Sequence, residues 1–161
     1  MDFLTHIIAK FYTLVFSLLI IVGTASAQDQ GKLAVKGHLV CDKKNKKVMS
    51  SVTVYRYYHQ SKSVELMEQI MVPRAGKFKF EVEFDKEYIV DVASNTGIHK
   101  RVNLNTEVMK GYKNDDQKFE FTVDVQDGDA ENPEEVAWIY FDASTNNFSH
   151  TNQMPVAFQD R

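Results

Sequence analysis

Lys77-Phe78-Lys79-Phe80-Glu81-Val82-Glu83-Phe84-Asp85-Lys86-Glu87-Tyr88-Ile89-Val90-Asp91-Val92 is the stretch whose reading decides the class of fold. Phe78, Phe80, Val82 and Phe84 alternate without a break against Lys77, Lys79, Glu81 and Glu83. Successive side chains of a strand leave on opposite faces, so this run has one apolar face and one charged face. Asp85-Lys86 interrupts it, and Tyr88, Val90 and Val92 then resume the same spacing. The pattern predicts a β-hairpin in a half-buried antiparallel sheet. Its charged face mixes signs, which suits water better than a ligand.

The same alternation recurs on both sides. Residues 33–40 predict a first strand, and the polar residues 42–47 a turn. Residues 48–58 predict a second strand, rich in the β-branched and aromatic types that fit a pleated surface. Val64, Leu66, Met67, Ile70 and Met71 fit either a short helix or a strand, and the surrounding β pattern favours the strand. Pro73-Arg74-Ala75-Gly76 and Ser94-Asn95-Thr96-Gly97 read as turns. Further strands are predicted over 98–104, 119–125 and 136–141. Some seven or eight short strands punctuated by turns predict an all-β, antiparallel β-sandwich, two sheets burying their inner faces on each other. Its domain spans 28–142, and residues 143–161 form a polar, partly disordered C-terminal tail, with Phe148 and residues 156–158 as its candidate ordered parts.

The N-terminus stands apart from this domain. His6 and Lys10 precede an apolar run over 11–22, followed by Gly23-Thr24 and the small-residue exit Ala25-Ser26-Ala27. A basic start, an apolar core and an A-x-A exit describe a secretory signal peptide over 1–27. The run is shorter than the roughly 20 apolar residues of a membrane span. The expectation is an exported protein, periplasmic, outer-membrane-associated or extracellular, with no transmembrane segment after cleavage. Cys41 is the one cysteine, so neither an internal disulfide nor a multi-thiolate zinc site is available. A formal net charge of −3 gives no reason to expect nucleic acid, which needs clustered Lys and Arg, and Lys43-Lys44-Asn45-Lys46-Lys47 reads as a solvated turn.

Several pieces recur together: Val35-Lys36-Gly37-His38-Leu39-Val40, Ser51-Val52-Thr53-Val54-Tyr55, Gly76-Lys77-Phe78-Lys79-Phe80, Lys86-Glu87-Tyr88-Ile89-Val90 and Gly97-Ile98-His99-Lys100-Arg101-Val102. In this order they resemble the carboxypeptidase-regulatory-like, or transthyretin-like, β-sandwich domains of bacterial secreted proteins, over residues 35–106. The strand 119–125, with Trp138-Ile139-Tyr140-Phe141-Asp142 and Asn146-Asn147-Phe148, is similar to proteins of this kind from Bacteroidetes envelopes. The resemblance implies a transthyretin-like or Ig-like sandwich serving as an accessory module beside an enzyme or receptor. It carries no catalytic residues. The sequence departs from the family where Lys43-Lys44-Asn45 follows Asp42, a place that often holds Gly, and where Gly97-Ile98 stands for Gly-Tyr.

The chain carries few residues in chemically suggestive patterns. His38, His59, His99 and His150 form no metal-ligand spacing, and no serine lies in a nucleophile elbow. Glu81/Glu83 lie on the charged side of a strand, and no glycine-rich phosphate loop occurs. No cofactor and no enzymatic activity are expected. Asp127, Asp129 and Glu131 around Gly128 offer hard oxygen ligands for Ca²⁺, without the full EF-hand pattern. Tyr55 and Tyr57 share a strand face and are candidates for stacking on a sugar or anchoring a protein, whereas Trp138 is assigned to the core. The expected function is a non-catalytic exported module that binds another envelope or extracellular protein. The alternative is a carbohydrate-binding module that uses exposed tyrosines.

Overall fold

Alternation becomes burial strand by strand in the computed structural model, which describes residues 31–40, 49–73, 76–95, 97–113, 116–125 and 133–155. The described residues form β1 (Lys32–Val40), β2 (Met49–Tyr58), β3 (Ser63–Pro73), β4 (Lys77–Glu83), β5 (Glu87–Ser94), β6 (His99–Asn105), β7 (Gln117–Asp124), β8 (Glu134–Asp142) and β9 (Asn147–Thr151). A single 3-10 turn, Lys110–Tyr112, lies between β6 and β7. One sheet has the order β4-β1-β7 and the other β3-β2-β5-β6-β8-β9. Leu33, Val35, Phe80 and Phe119 from the first sheet share one core with Val52, Val90, Leu104 and Ile139 from the second. The all-β sandwich is therefore observed, with nine strands rather than seven or eight.

The sheets are mixed, not purely antiparallel. β1 runs parallel to β7, and β6 runs parallel to β8. The cause is that β7 and β8 each follow a connection that switches sheets. Each therefore docks beside a strand laid down much earlier, and no short turn dictates an antiparallel partner.

The 77–92 stretch is not a hairpin. β4 pairs with β1, whereas β5 pairs with β2 and β6. At Asp85, with φ of 56°, the chain crosses from one sheet to the other. Both strands still face the core, from opposite sides, because alternation reports which face is buried and says nothing about the partner. Parity carries a warning, however. A two-residue loop at Asp85-Lys86 would set Phe84 directly opposite Glu87, and opposed residues must share a face.

The crossing is fastened by Thr106, which is fully buried. Its backbone N donates to Lys86 O at 2.9 Å, and its O accepts from Asp85 N at 3.0 Å. Its hydroxyl accepts from Lys86 N at 3.0 Å and lies 2.7 Å from Glu83 O and 2.9 Å from Lys86 O, its two available acceptors. Tyr88 Oη accepts from Glu83 N at 3.1 Å on the same corner.

β3 explains its own ambiguity. The β2–β3 register shifts between Val54 and Tyr55, leaving Met67 unmatched between Glu68 and Leu66. This bulge reverses the parity of the strand, so Val64, Leu66, Gln69 and Met71 share one face. Apolar residues at 64, 66, 67, 70 and 71 imitate helical spacing for that reason.

The ladder also continues beyond the boundary expected at Asp142. After residues 143–146 turn, with Asn146 at φ 54°, β9 pairs antiparallel with β8. Phe148 on β9 stacks on Phe84 at 6.5 Å between centroids, and also meets Phe141 at 5.6 Å and Phe119 at 6.5 Å.

At Gly37 a missing side chain makes room for an aromatic ring. A Cβ there would lie 1.9 Å from the Phe78 ring, whose other contacts include Phe80 at 6.2 Å and Phe121 at 5.8 Å. Gly37→Ala is expected to cost about 1–3 kcal/mol in denaturant unfolding, the usual overpacking range, because the buried Phe78 ring must leave its place against Phe80 and Phe121 to admit the methyl group.

Candidate functional site

The site is assembled on the outer face of the six-stranded sheet, and strand register determines its members. Across the strands, Leu66, Tyr55, Ile89, Asn103, Trp138 and Thr151 stand in one row. The next row holds Val64, Tyr57, Glu87 and Asn105. On the other flank lie Gln69, Thr53, Asp91, Arg101 and Glu135. Tyr55 and Tyr57 thus share a face, as their spacing implies, and both are half-buried.

Trp138 is buried, 7% exposed, as its assignment to the core expects, but it lies outside the inter-sheet cluster, directly opposite Asn103 and Thr151 on the outer face. Val136-Ala137-Trp138-Ile139-Tyr140-Phe141 is apolar at every position, so its faces have no alternation to betray them. A register shift between Arg101 and Val102 settles the matter by sending Ala137 inward and Trp138 outward. Trp138, Tyr57, Ile89, Asn103 and Met154 line a shallow cleft of about 300 Å³.

Beside the aromatic row lies an ordered charge pair. Arg101 donates from Nε to Asp91 Oδ1 at 2.8 Å and from Nη2 to Asp91 Oδ2 at 2.9 Å. This two-pronged geometry is the strong form of the contact. His99 Nε2 lies 3.5 Å from Asp91 Oδ2. The Asp91 hydrogen bond holds the Arg101 guanidinium above its ordinary pKa, against the opposing effect of burial. Arg101 is consequently a fixed cation, its fork occupied and oriented, set between aromatic surface and solvent. Asp91 and Arg101 escape sequence reading because their pairing depends on the β5–β6 register. The legible trace is only that Asp91 stands between Val90 and Val92 and that Arg101 precedes Val102.

The proposed calcium ligands Asp127, Asp129 and Glu131 lie outside the described residues, as do Cys41 and residues 156–158. Among the described residues no group of three or more His, Cys, Asp or Glu side chains is placed to hold a metal ion. Nor is any described helix long and apolar enough to cross a membrane. What the outer face can do chemically is present flat apolar surface, with amide, carboxylate and guanidinium groups beside it. No family model matches the chain, and no curated protein matches it.

Proposed function

We propose that the chain is a non-catalytic, exported β-sandwich module that binds another protein of the cell envelope or extracellular space, using the outer face of its six-stranded sheet. The observation that carries this reading is the row Leu66, Tyr55, Ile89, Asn103 and Trp138, which sets apolar and aromatic side chains on the side of the sheet turned away from the core. Binding hot spots favour aromatic and Arg side chains on such surfaces. Export is supported by the N-terminal sequence, and absence of catalysis by the lack of a matched nucleophile, base or metal spacing. The likeness of residues 35–106 to carboxypeptidase-regulatory-like domains fits an accessory role of this kind.

The test is retrieval of a defined protein from envelope extract by the chain and by its Tyr55→Ala/Tyr57→Ala variant. The parent should retrieve one protein reproducibly, and the variant should bind it at least about tenfold more weakly. Retrieval of nothing, or equal retrieval by both, overturns the reading. A second reading, glycan binding, is favoured by Asn103, Asp91 and Arg101 beside the tyrosines, since sugars take hydrogen bonds at their edges and aromatic rings on their faces. A glycan array that lights up with the parent and goes dark with the same variant would select it.

A further inference from the structure

We infer that β3 is a dimerisation edge, pairing antiparallel about a two-fold axis with β3 of a second copy of this chain. This goes beyond the partner reading and does not depend on it. β3 is a terminal strand of its sheet, 11 residues long, and hydrogen-bonds to β2 on one side. Four of its apolar side chains are out in solvent, Val64 54% exposed, Leu66 59%, Met67 50% and Met71 59%, while Ile70 is half-buried and Val72 belongs to the core. An edge meant to stay single is usually short, charged, bulged or closed by proline. β9, at the opposite end of the sheet, is short, with only five residues. β3 is long and bears no lysine; its guards are Glu65, Glu68, the bulge at Met67 and Pro73, and between the last two, residues 68–72 pair with β2 in unbroken register.

The choice of a second copy rests on charge. The three-stranded sheet is narrower than the six-stranded one, and its edge strand β4 leaves a groove beside β3. Ile70 and Phe78 line this groove, with Glu68 on the β3 side and Lys77 and Lys79 on the β4 side; Lys36 and Glu120, deeper on the small sheet, neutralise each other at 3.0 Å. A basic incoming strand would be repelled by those lysines. A second β3 brings its own Glu68 and Ile70 to them, and the complement is reciprocal, as a two-fold interface requires. Beyond the bulge at Met67, residues 68–72 form a straight segment. Pairing it about Ile70 sets Met71 opposite the partner copy's Gln69, and Glu68 opposite Val72. No carboxylate then faces another.

The experiment is sedimentation velocity of the full chain over two decades of concentration up to about 100 µM, with hydrogen exchange in parallel. A concentration-dependent dimer is expected, with β3 amides protected as it forms. Met71→Lys, at an exposed position, should raise the dissociation constant at least about tenfold without changing the thermal midpoint measured at concentrations where both proteins are monomeric. Glu68→Lys should do the same, and Lys77→Glu added to it should restore at least part of the affinity. A chain that stays monomeric throughout overturns the inference, as does a dimer indifferent to Met71→Lys and Glu68→Lys. If the β3 amides are protected only by an unlike protein retrieved from extract, the edge belongs to that protein, and the partner reading survives while this one fails.

Discussion

Phe148→Ala is expected to lower the unfolding free energy by about 3–5 kcal/mol, measured as a drop in the denaturant midpoint at unchanged slope. Typical domain stabilities are about 5–15 kcal/mol, so the loss is a large share of the whole. The composition of residues 143–161 predicts no such thing, being rich in Asn, Ser, Thr and Gln. The ring is nevertheless buried, 5% exposed, and meets Phe84, Phe119 and Phe141. Phe119 belongs to the small sheet and Phe141 to the large one, while Phe84 sits at the crossing between them. Removing the shared ring opens a void that three rigid neighbours cannot all close, and the cavity adds to the lost transfer energy. Gln153→Ala, exposed just beyond β9, should change stability by no more than about 0.5 kcal/mol. If Phe148→Ala matched that small value, the C-terminal strand would contribute nothing to the core.

Thr106→Val should cost about 1–3 kcal/mol by the same measurement, although it keeps the shape of the side chain. The backbone bonds of residue 106 to Asp85 and Lys86 survive the change. The hydroxyl does not, and with it go the acceptor for Lys86 N and the donor reaching Glu83 O or Lys86 O. Those groups lie in a partly buried corner, where loss of a partner costs desolvation as well as the bond itself. Thr106→Ser keeps the hydroxyl and should recover most of the stability. A Thr106→Ser variant as unstable as Thr106→Val would show that the packing of the methyl group contributes as much as the hydroxyl, and a stable Thr106→Val would overturn the role of the hydroxyl.

Both predictions concern features that alternation alone does not contain. The buried face of 77–92 is legible residue by residue, because a strand's faces are a property of that strand. Its partners are not, since pairing depends on where the chain goes at Asp85. The parity of Phe84 against Glu87 is the one local sign that β4 and β5 part company. In β3 a bulge disguises a strand as a helix. In β8 an unbroken apolar run hides which way Trp138 points. Tyr55 and Tyr57 are placed on a shared face by a spacing of two. Their neighbours Asp91, Arg101 and Trp138 join them only through the register of four strands, which the sequence does not print.

The parallel pairing of β1 with β7 has a consequence in time as well as space. Lys36 and Glu120, 84 residues apart, meet across it at 3.0 Å. β1 is the central strand of its sheet, so half of its hydrogen-bonding edge stays open until the chain has been made past Asp124. Closing so long a loop costs entropy before any contact repays it, which places the molecule among slow-folding, high-contact-order topologies. During synthesis the small sheet waits on β7, and until then β1 offers its open edge to any strand that reaches it first.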